Sequence, residues 1–328
     1  MKAWRVEALG HPSQSLELQD IAVTPPGPGE VAIDVAAGTI NFADILLCQG
    51  IYQDRPGVPL TPGLESAGIV TAVGEGVDVA IGARVAGMCA LPHGGYAEHA
   101  LLRGPGVLEF PDDIPFDVAT VLYSTYQTSH VALHHRGQLA QGETLLVHAG
   151  AGGVGSAAIQ LGVAAGARVI ATAGGAEKVA ICRELGAHEV IDYREADLYA
   201  RLMALTDGNG VDVAYDPVGG AVAEPTRRAM AWEGRLLVIG FAGGDIPTYP
   251  SNHILVKNYS VVGVHWGAYT GRNRAVVEAA HADLISLYRQ GAIAPRIQAR
   301  VPLAGIPDAL TLLENRGVKG RLVVAPQD

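Results

Sequence analysis

The sequence predicts an α/β chain of two domains, the first β-rich and the second built on a doubly wound, parallel six-stranded sheet. Three observations carry this expectation. A chain of 328 residues exceeds the roughly 100 to 200 residues that one domain usually holds. Its first third is strand-like and punctuated by Pro and Gly, whereas after residue 142 short strands alternate with helical patterns. Residues 150–155 then read Gly-x-Gly-x-x-Gly between a strand and a helix.

Along residues 1–122, the segments "KAWRVEAL", "EVAIDVAAG", "AGIVTAV", "ARVAGM", "YAEHALL" and "GVLEF" are separated by stretches such as "TPPGPGE" and "VPLTPG". Short strands divided by turn residues read as an all-β barrel or sandwich. One helix is expected at 41–48, where Asn41 precedes an acidic first turn and an apolar run.

In the second part, "TLLVH" (144–148), "RVIATA" (168–173), "EVIDY" (189–193), "VDVAY" (211–215), "RLLVIG" (235–240) and "SVVGV" (260–264) are short, apolar and β-branched. Val154, Ala157, Ala158 and Leu161 fall at i, i+3, i+4 and i+7 and mark the first intervening helix. Parallel neighbours need long crossovers, and helices then cover both faces of the sheet. The last stretch adds a helix near 274–290 and a strand in "GRLVVAP", and is expected to fold back on the first domain. The expected division is 1–122, a nucleotide-binding 123–265, and a returning segment 266–328.

In the glycine turn, Gly150 permits the tight turn, Gly152 lets a pyrophosphate approach the backbone, and Gly155 lets helix and strand pack closely. Exposed amides and the positive end of the helix dipole attract phosphate there. A glycine-rich turn with nothing bound is the alternative, and the surrounding βα units weigh against it. NAD-dependent sites place Asp or Glu about 20 residues on, to accept from the ribose 2′-OH. Here Thr172 and Ala173 occupy that strand end, followed by Gly174, Gly175 and Lys178. An uncharged strand end leaves room for a 2′-phosphate and Lys178 supplies a cation, so NADP(H) is the expected cofactor. An ordinary solvated lysine, with Glu177 beside it, is the alternative reading of Lys178.

A formal net charge of -10 and the lack of any Lys/Arg cluster give no electrostatic reason to bind nucleic acid or anionic lipid. Three cysteines, Cys48, Cys89 and Cys182, show no CxxC spacing, so neither a disulfide framework nor a cysteine zinc site is indicated. The start "MKAWRVEALG" has no apolar h-region, and no run of 18 apolar residues occurs. No signal peptide and no membrane span are expected, and a cytoplasmic location is the default.

Taken in order, "INFADILLCQGIY", "PLTPGLESAGIVTAVGEGV", "AGAGGVG", "GFAGG" and "VVGVHWGAY" resemble the quinone oxidoreductase (zeta-crystallin-like) family of the medium-chain dehydrogenase/reductase superfamily. The resemblance covers essentially the whole chain. It implies a GroES-like catalytic domain, a Rossmann domain binding NADP(H), an active site in the cleft between them, and a homodimer. Carried over position by position, Asn41 and Tyr52 would be the catalytic candidates facing nicotinamide and substrate, and Thr128 would hold the nicotinamide end. Gly153 and Val154 would lie under the pyrophosphate, Gly174 and Lys178 would hold the 2′-phosphate, and Tyr193 would lie near the adenosine. Phe241, Val264, Trp266 and Arg321 would complete the cofactor groove. The chain departs from the family at Leu46, where relatives often carry an aromatic, and at "STYQTSH", where relatives often read Tyr-Gly-Thr-Ala.

Zinc-dependent members of the superfamily hold the ion with thiolate and imidazole. Here "TINFAD" has no cysteine, Leu64 stands where a histidine would precede Glu65, and no four-cysteine lobe exists. His134 and His135 are adjacent and cannot share a helix face, and His148 at the end of a buried strand reads as packing, so no metal is expected. A quinone or an α,β-unsaturated carbonyl accepts hydride without a Lewis acid when held about 3 to 3.5 Å from the donor carbon. The oxygen that gains charge needs a hydrogen-bond donor, for which Tyr52, with an ordinary pKa near about 10, and the Asn41 amide are candidates. A rim aromatic is the alternative for Tyr52, and a helix N-cap for Asn41. With no His-Asp or Ser-Tyr-Lys constellation, water is the expected proton source. NADPH:quinone reduction is the leading expectation. Reduction of the C=C bond of enones or enoyl thioesters is its enzymatic rival, and a non-catalytic NADPH-binding sensor or structural protein is the rival of another class.

Overall fold

The computed structural model describes residues 1–326. The chain divides into two compact units, Met1–Ser124 with the chain from Ile297, and Thr125–Arg296. Residues 266–296, expected to return to the first domain, belong to the second unit instead. The reason lies in a helix the sequence did not signal, Gln127–His130. The helix Arg274–Arg289 buries Val277, Ala280 and Leu284, Gln127 Nε2 donates to the Val277 carbonyl at 3.0 Å, and His130 pairs with Asp283 at 2.8 Å. The return begins only at Ile297.

The first unit opens with β1 (Lys2–Val6) and β2 (Leu16–Asp20), an antiparallel pair. It continues with β3 (Glu30–Thr39), β4 (Glu65–Val73), β5 (Arg84–Met88), β6 (His99–Arg103) and β7 (Leu108–Glu109). The second unit holds β8 (Thr144–Val147), β9 (Arg168–Ala173), β10 (Glu189–Asp192), β11 (Val211–Asp216), β12 (Met230–Val238) and β13 (Ser260–Gly263). The returning chain supplies β14 (Ile297–Val301) and β15 (Arg321–Val324).

The larger sheet of the first unit runs β14-β15-β3-β4-β5-β7, with β6 also on β3. Alternation along β3 turns Val31, Ile33 and Val35 onto a core shared with Val70, Val85, Leu102 and Val107. Two registers position the later chemistry. Gly38 of β3 faces Ser66 of β4, which brings Thr39 beside Glu65, and Thr39 faces Val323 of β15, which brings Arg321 beside Asn41. The expected helix forms over Phe42–Cys48 with Asn41 at its N-cap position.

The second unit is a six-stranded parallel sheet in the order β10-β9-β8-β11-β12-β13, the doubly wound arrangement whose reversal point lies between β8 and β11. Leu146, Ile170, Ala214 and Leu236 are fully buried in its core against Leu198, Leu202 and Tyr259. Each such leucine or isoleucine contributes about 2 kcal/mol of burial. The first crossover helix, Gly153–Ala164, buries residues on most of its circumference, as a helix covering a parallel sheet does. β12 begins at Met230, five residues before the expected 235, because Met230 pairs with Val211 before the register shifts between Val211 and Val213.

Candidate functional site

In the second unit the nucleotide signature is assembled after β8. Ala149 itself takes the left-handed turn, with φ 51°, so Gly150 is not needed for the backbone angle the sequence suggested. Packing requires it instead: a Cβ on Gly150 would lie 2.8 Å from Cys182 Sγ and 2.9 Å from Ile159 Cδ1. A Cβ on Gly155 would lie 2.2 Å from the Ala149 carbonyl oxygen, the close helix-to-turn approach expected of the third glycine. Gly152 differs, since a Cβ there would meet only the Ala149 oxygen, at 3.1 Å. It sits at the N-cap of Gly153–Ala164, and no side chain caps the first-turn amides of Gly153, Val154 and Gly155. Of the three glycines it is the least crowded.

At the end of β9, Thr172 turns inward. Its hydroxyl shares a hydrogen bond with His148 Nδ1 at 3.0 Å, and His148 Nε2 shares another with Thr226 at 2.7 Å. Burial lowers the His148 pKa, and this neutral, doubly bonded imidazole is packing, as expected. Gly174 and Gly175 follow, the latter with φ 90°. Asp192, at the end of β10, accepts from the Arg194 and Gly175 amides at 3.0 and 2.9 Å, and these bonds hold its carboxyl below the usual carboxylate range. Tyr193 is 46% exposed, and its hydroxyl lies 2.5 Å from the place of a Cβ on Gly174. Lys178 lies on the first turn of the helix Ala176–Glu184.

Beyond β12 and β13, Phe241 is 41% exposed, the Val264 amide donates to the Val238 carbonyl at 3.1 Å, and Trp266 is buried. Trp266 Nε1 donates to Gln127 Oε1 at 3.4 Å, beside half-buried Thr128. The candidates of this unit on β8, β9, β10, β12 and β13 thus follow the carboxyl ends of parallel strands, where such sheets take ligands.

In the first unit, Glu65 heads β4 and is 9% exposed. It accepts hydrogen bonds from Thr39 Oγ1, from Asn41 Nδ2 at 2.6 Å and from Ser124 Oγ at 2.9 Å. Asn41 Nδ2 also donates to Thr39 Oγ1 at 3.0 Å, and Asn41 Oδ1 accepts from Arg321 at 2.5 Å. Both amide hydrogens of Asn41 are therefore engaged within the unit, to Thr39 and Glu65. The helix start is held by Asp44, whose carboxylate accepts from the Asn41 amide at 2.8 Å, the Tyr96 hydroxyl at 2.8 Å and the Leu64 amide at 3.1 Å. Burial pushes the Asp44 carboxyl up to about 7, with nearby Glu65 adding to the effect.

Arg321, expected to complete the nucleotide groove, binds Asn41 within the first unit, and its Nε is buried without a partner. Burial lowers its pKa against the opposing pull of Glu65 and Asp44. Tyr52 is half-buried against Val6, Leu47, Leu60 and Leu64. Burial, then Glu65 and Asp44, raise its pKa, so the hydroxyl stays protonated at neutral pH. Sequence reasoning passed over Glu65 and Asp44, the buried carboxylates of this cluster. The signal for both was a carboxylate inside a segment otherwise apolar, "GLESAGIV" and "NFADILLC", which is rarely buried without partners.

A nucleotide-type glycine turn on a doubly wound sheet, joined in one chain to a β-rich unit with a buried polar cluster, defines a dehydrogenase or reductase. Residues 27–112 match the family described as alcohol dehydrogenase GroES-like domain, and residues 153–282 match the zinc-binding dehydrogenase family. Quinone oxidoreductase-like protein 2 of Rattus norvegicus is 37% identical over 95% of this chain and 89% of its own. The structure of Escherichia coli quinone oxidoreductase complexed with NADPH superimposes with a TM-score of 0.90 at 29% identity, covering 99% of this chain and all of that one. A 2-haloacrylate reductase does so with a TM-score of 0.88 at 26% identity, covering both chains fully. The chain belongs to the medium-chain dehydrogenase/reductase family as a quinone oxidoreductase-like oxidoreductase.

The zinc named by one of those families does not fit this donor set. Position 64 is leucine, position 41 a carboxamide bonded on both its ends, and Glu65 already takes three donors. Among the described residues no group of three or more His, Cys, Asp or Glu side chains could hold a metal ion.

Proposed function

We propose that the chain is a zinc-independent NADPH reductase that delivers hydride to quinones. The end of β9 carries this reading: Thr172 is turned to His148, Asp192 is tied to two backbone amides, and Lys178 stands on the adjoining helix. The end of β9 itself carries no carboxylate for a ribose 2′-OH, while a 2′-phosphate meets a cation. The NADPH held by the Escherichia coli relative supports the same cofactor, and the glycine turn suits it, since no side chain caps the helix start behind Gly152.

The cofactor, when bound, supplies a hydride. The first-turn amides at Gly153 and Val154 bind its pyrophosphate, and Lys178 its 2′-phosphate. Tyr52, kept protonated by its surroundings, donates to the acceptor oxygen on which charge develops. Asn41, locked between Glu65, Thr39 and Arg321, is a positioning residue, and water supplies the proton. A second reading, reduction of an electron-poor C=C bond, is favoured by the likeness to 2-haloacrylate reductase.

We further propose a homodimer, covering the edge strand β13 and the exposed Trp232, Leu255 and Val256 (69, 79 and 76% exposed). No helix among the described residues is long and apolar enough to cross a membrane, and three buried free thiols suit a reducing, cytoplasmic setting.

Measuring acceptor-dependent loss of NADPH absorbance with benzoquinones, naphthoquinones, enones and a crotonyl thioester tests the activity. Quinones are expected to turn over fastest. Turnover of enones or thioester alone selects the second reading, and NADPH binding with no turnover of any acceptor selects a non-catalytic role.

A further inference from the structure

We propose that Arg194 is a second cation for the 2′-phosphate and a determinant of NADPH over NADH, an inference that rests on the cofactor reading above. Arg194 follows β10 and is exposed, yet its guanidinium does not simply extend into water. Its Nε lies 3.0 Å from the place a Cβ on Gly174 would take, and its Nη1 3.1 Å from that of a Cβ on Gly175. The guanidinium therefore lies along the backbone of the two glycines at the end of β9, where a Cβ at either position would press on it. Gly174 leaves room for the Tyr193 hydroxyl and Arg194, and Gly175 also has φ 90°.

The turn that launches Arg194 is fixed from below. Asp192 accepts from the backbone amides of both Gly175 and Arg194, tying the end of β10 to the end of β9. This places a planar fork of N–H donors against the diglycine, while Lys178 lies on the first turn of the helix that follows it. A phosphate monoester carries close to two negative charges near neutral pH. One ammonium and one guanidinium match that charge, and the fork suits a phosphate's oxygens in a way a point charge does not.

The test measures the affinity of adenosine 2′,5′-bisphosphate and adenosine 5′-monophosphate by isothermal titration calorimetry for the wild-type chain, R194Q, R194K and K178A. The wild type is expected to prefer the bisphosphate. R194Q is expected to weaken the bisphosphate about tenfold or more, within the range for a charge-assisted bond, and to move the monophosphate less than about twofold. R194K is expected to fall between, because it keeps the charge and loses the fork, and K178A supplies the comparison for the expected first cation. A wild-type chain that binds both nucleotides alike overturns the cofactor reading and Arg194 with it. A wild type that discriminates, with R194Q discriminating equally or weakened equally toward both, overturns the role of Arg194 alone.

Discussion

Asp44 is wholly buried, and burial together with Glu65 raises its pKa to about 7, against about 3.9 in an unfolded chain. A folded value above the unfolded one means that the native state binds more protons in between. The stabilisation is complete below about pH 4 and is lost as pH rises through about 7. Its upper bound is about 4 kcal/mol. Urea unfolding midpoints are expected to fall between about pH 4 and about pH 7, and Asp44→Asn to flatten that slope; an equal slope in the variant would place the titration elsewhere. Tyr52 makes the opposite kind of contribution, a proton kept rather than exchanged. With water as the proton source, Tyr52→Phe is expected to lower kcat by less than about 100-fold, whereas an essential lone acid commonly costs 10² to 10⁴. Steady-state kinetics decides this, provided NADPH binding is intact. At this scale the sequence offers Asn41 and Tyr52 as candidates, but not the partners that hold them. Asn41 depends on Glu65, 24 positions away, and on Arg321, 280 positions away, and no local pattern encodes such pairs.

The glycine turn and the strands around it were the most legible elements. Strand β9 occupies the stretch its β-branched run marked, Arg168–Ala173, because both its faces are buried and the apolar run is continuous. The three glycines of the turn look alike in sequence and differ in the fold. Gly155→Ala would drive a methyl into the Ala149 carbonyl and is expected to cost about 1 to 3 kcal/mol, as overpacking does. Gly152→Ala meets a single contact at 3.1 Å and is expected to change stability by less than about 1 kcal/mol while weakening NADPH binding. Thermal unfolding beside a fluorescence titration with NADPH separates the two; equal loss of stability would mean that Gly152 is a packing glycine too. The helix Gln127–His130 has no sequence signal, because "STYQTSH" carries no 3.6-residue apolar period. It holds the helix Arg274–Arg289 in the second unit through Gln127 and Val277.

For the whole molecule, the proposed dimer predicts a two-chain mass in sedimentation velocity. The Glu233 amide donates to the Asn258 carbonyl at 3.1 Å, tying the strand that carries Trp232 to the end of the helix that carries Leu255. Replacing Trp232 and Leu255 together by Glu is expected to shift the mass to one chain, and an unchanged mass would remove this face from the interface. Period, glycine spacing and the missing strand-end acid are local properties, so the sequence by itself determined the fold class, the order of the parts and the expectation of a phosphorylated dinucleotide. Only the tertiary structure decided that Asn41 is clamped by Glu65 and Arg321, that Gly150 answers to Cys182, that Asp192 is withdrawn into backbone bonds, and that Arg194 lies on two glycines. Each of those facts joins residues from different strands, and sheet order and register, not proximity along the chain, settle which side chains meet.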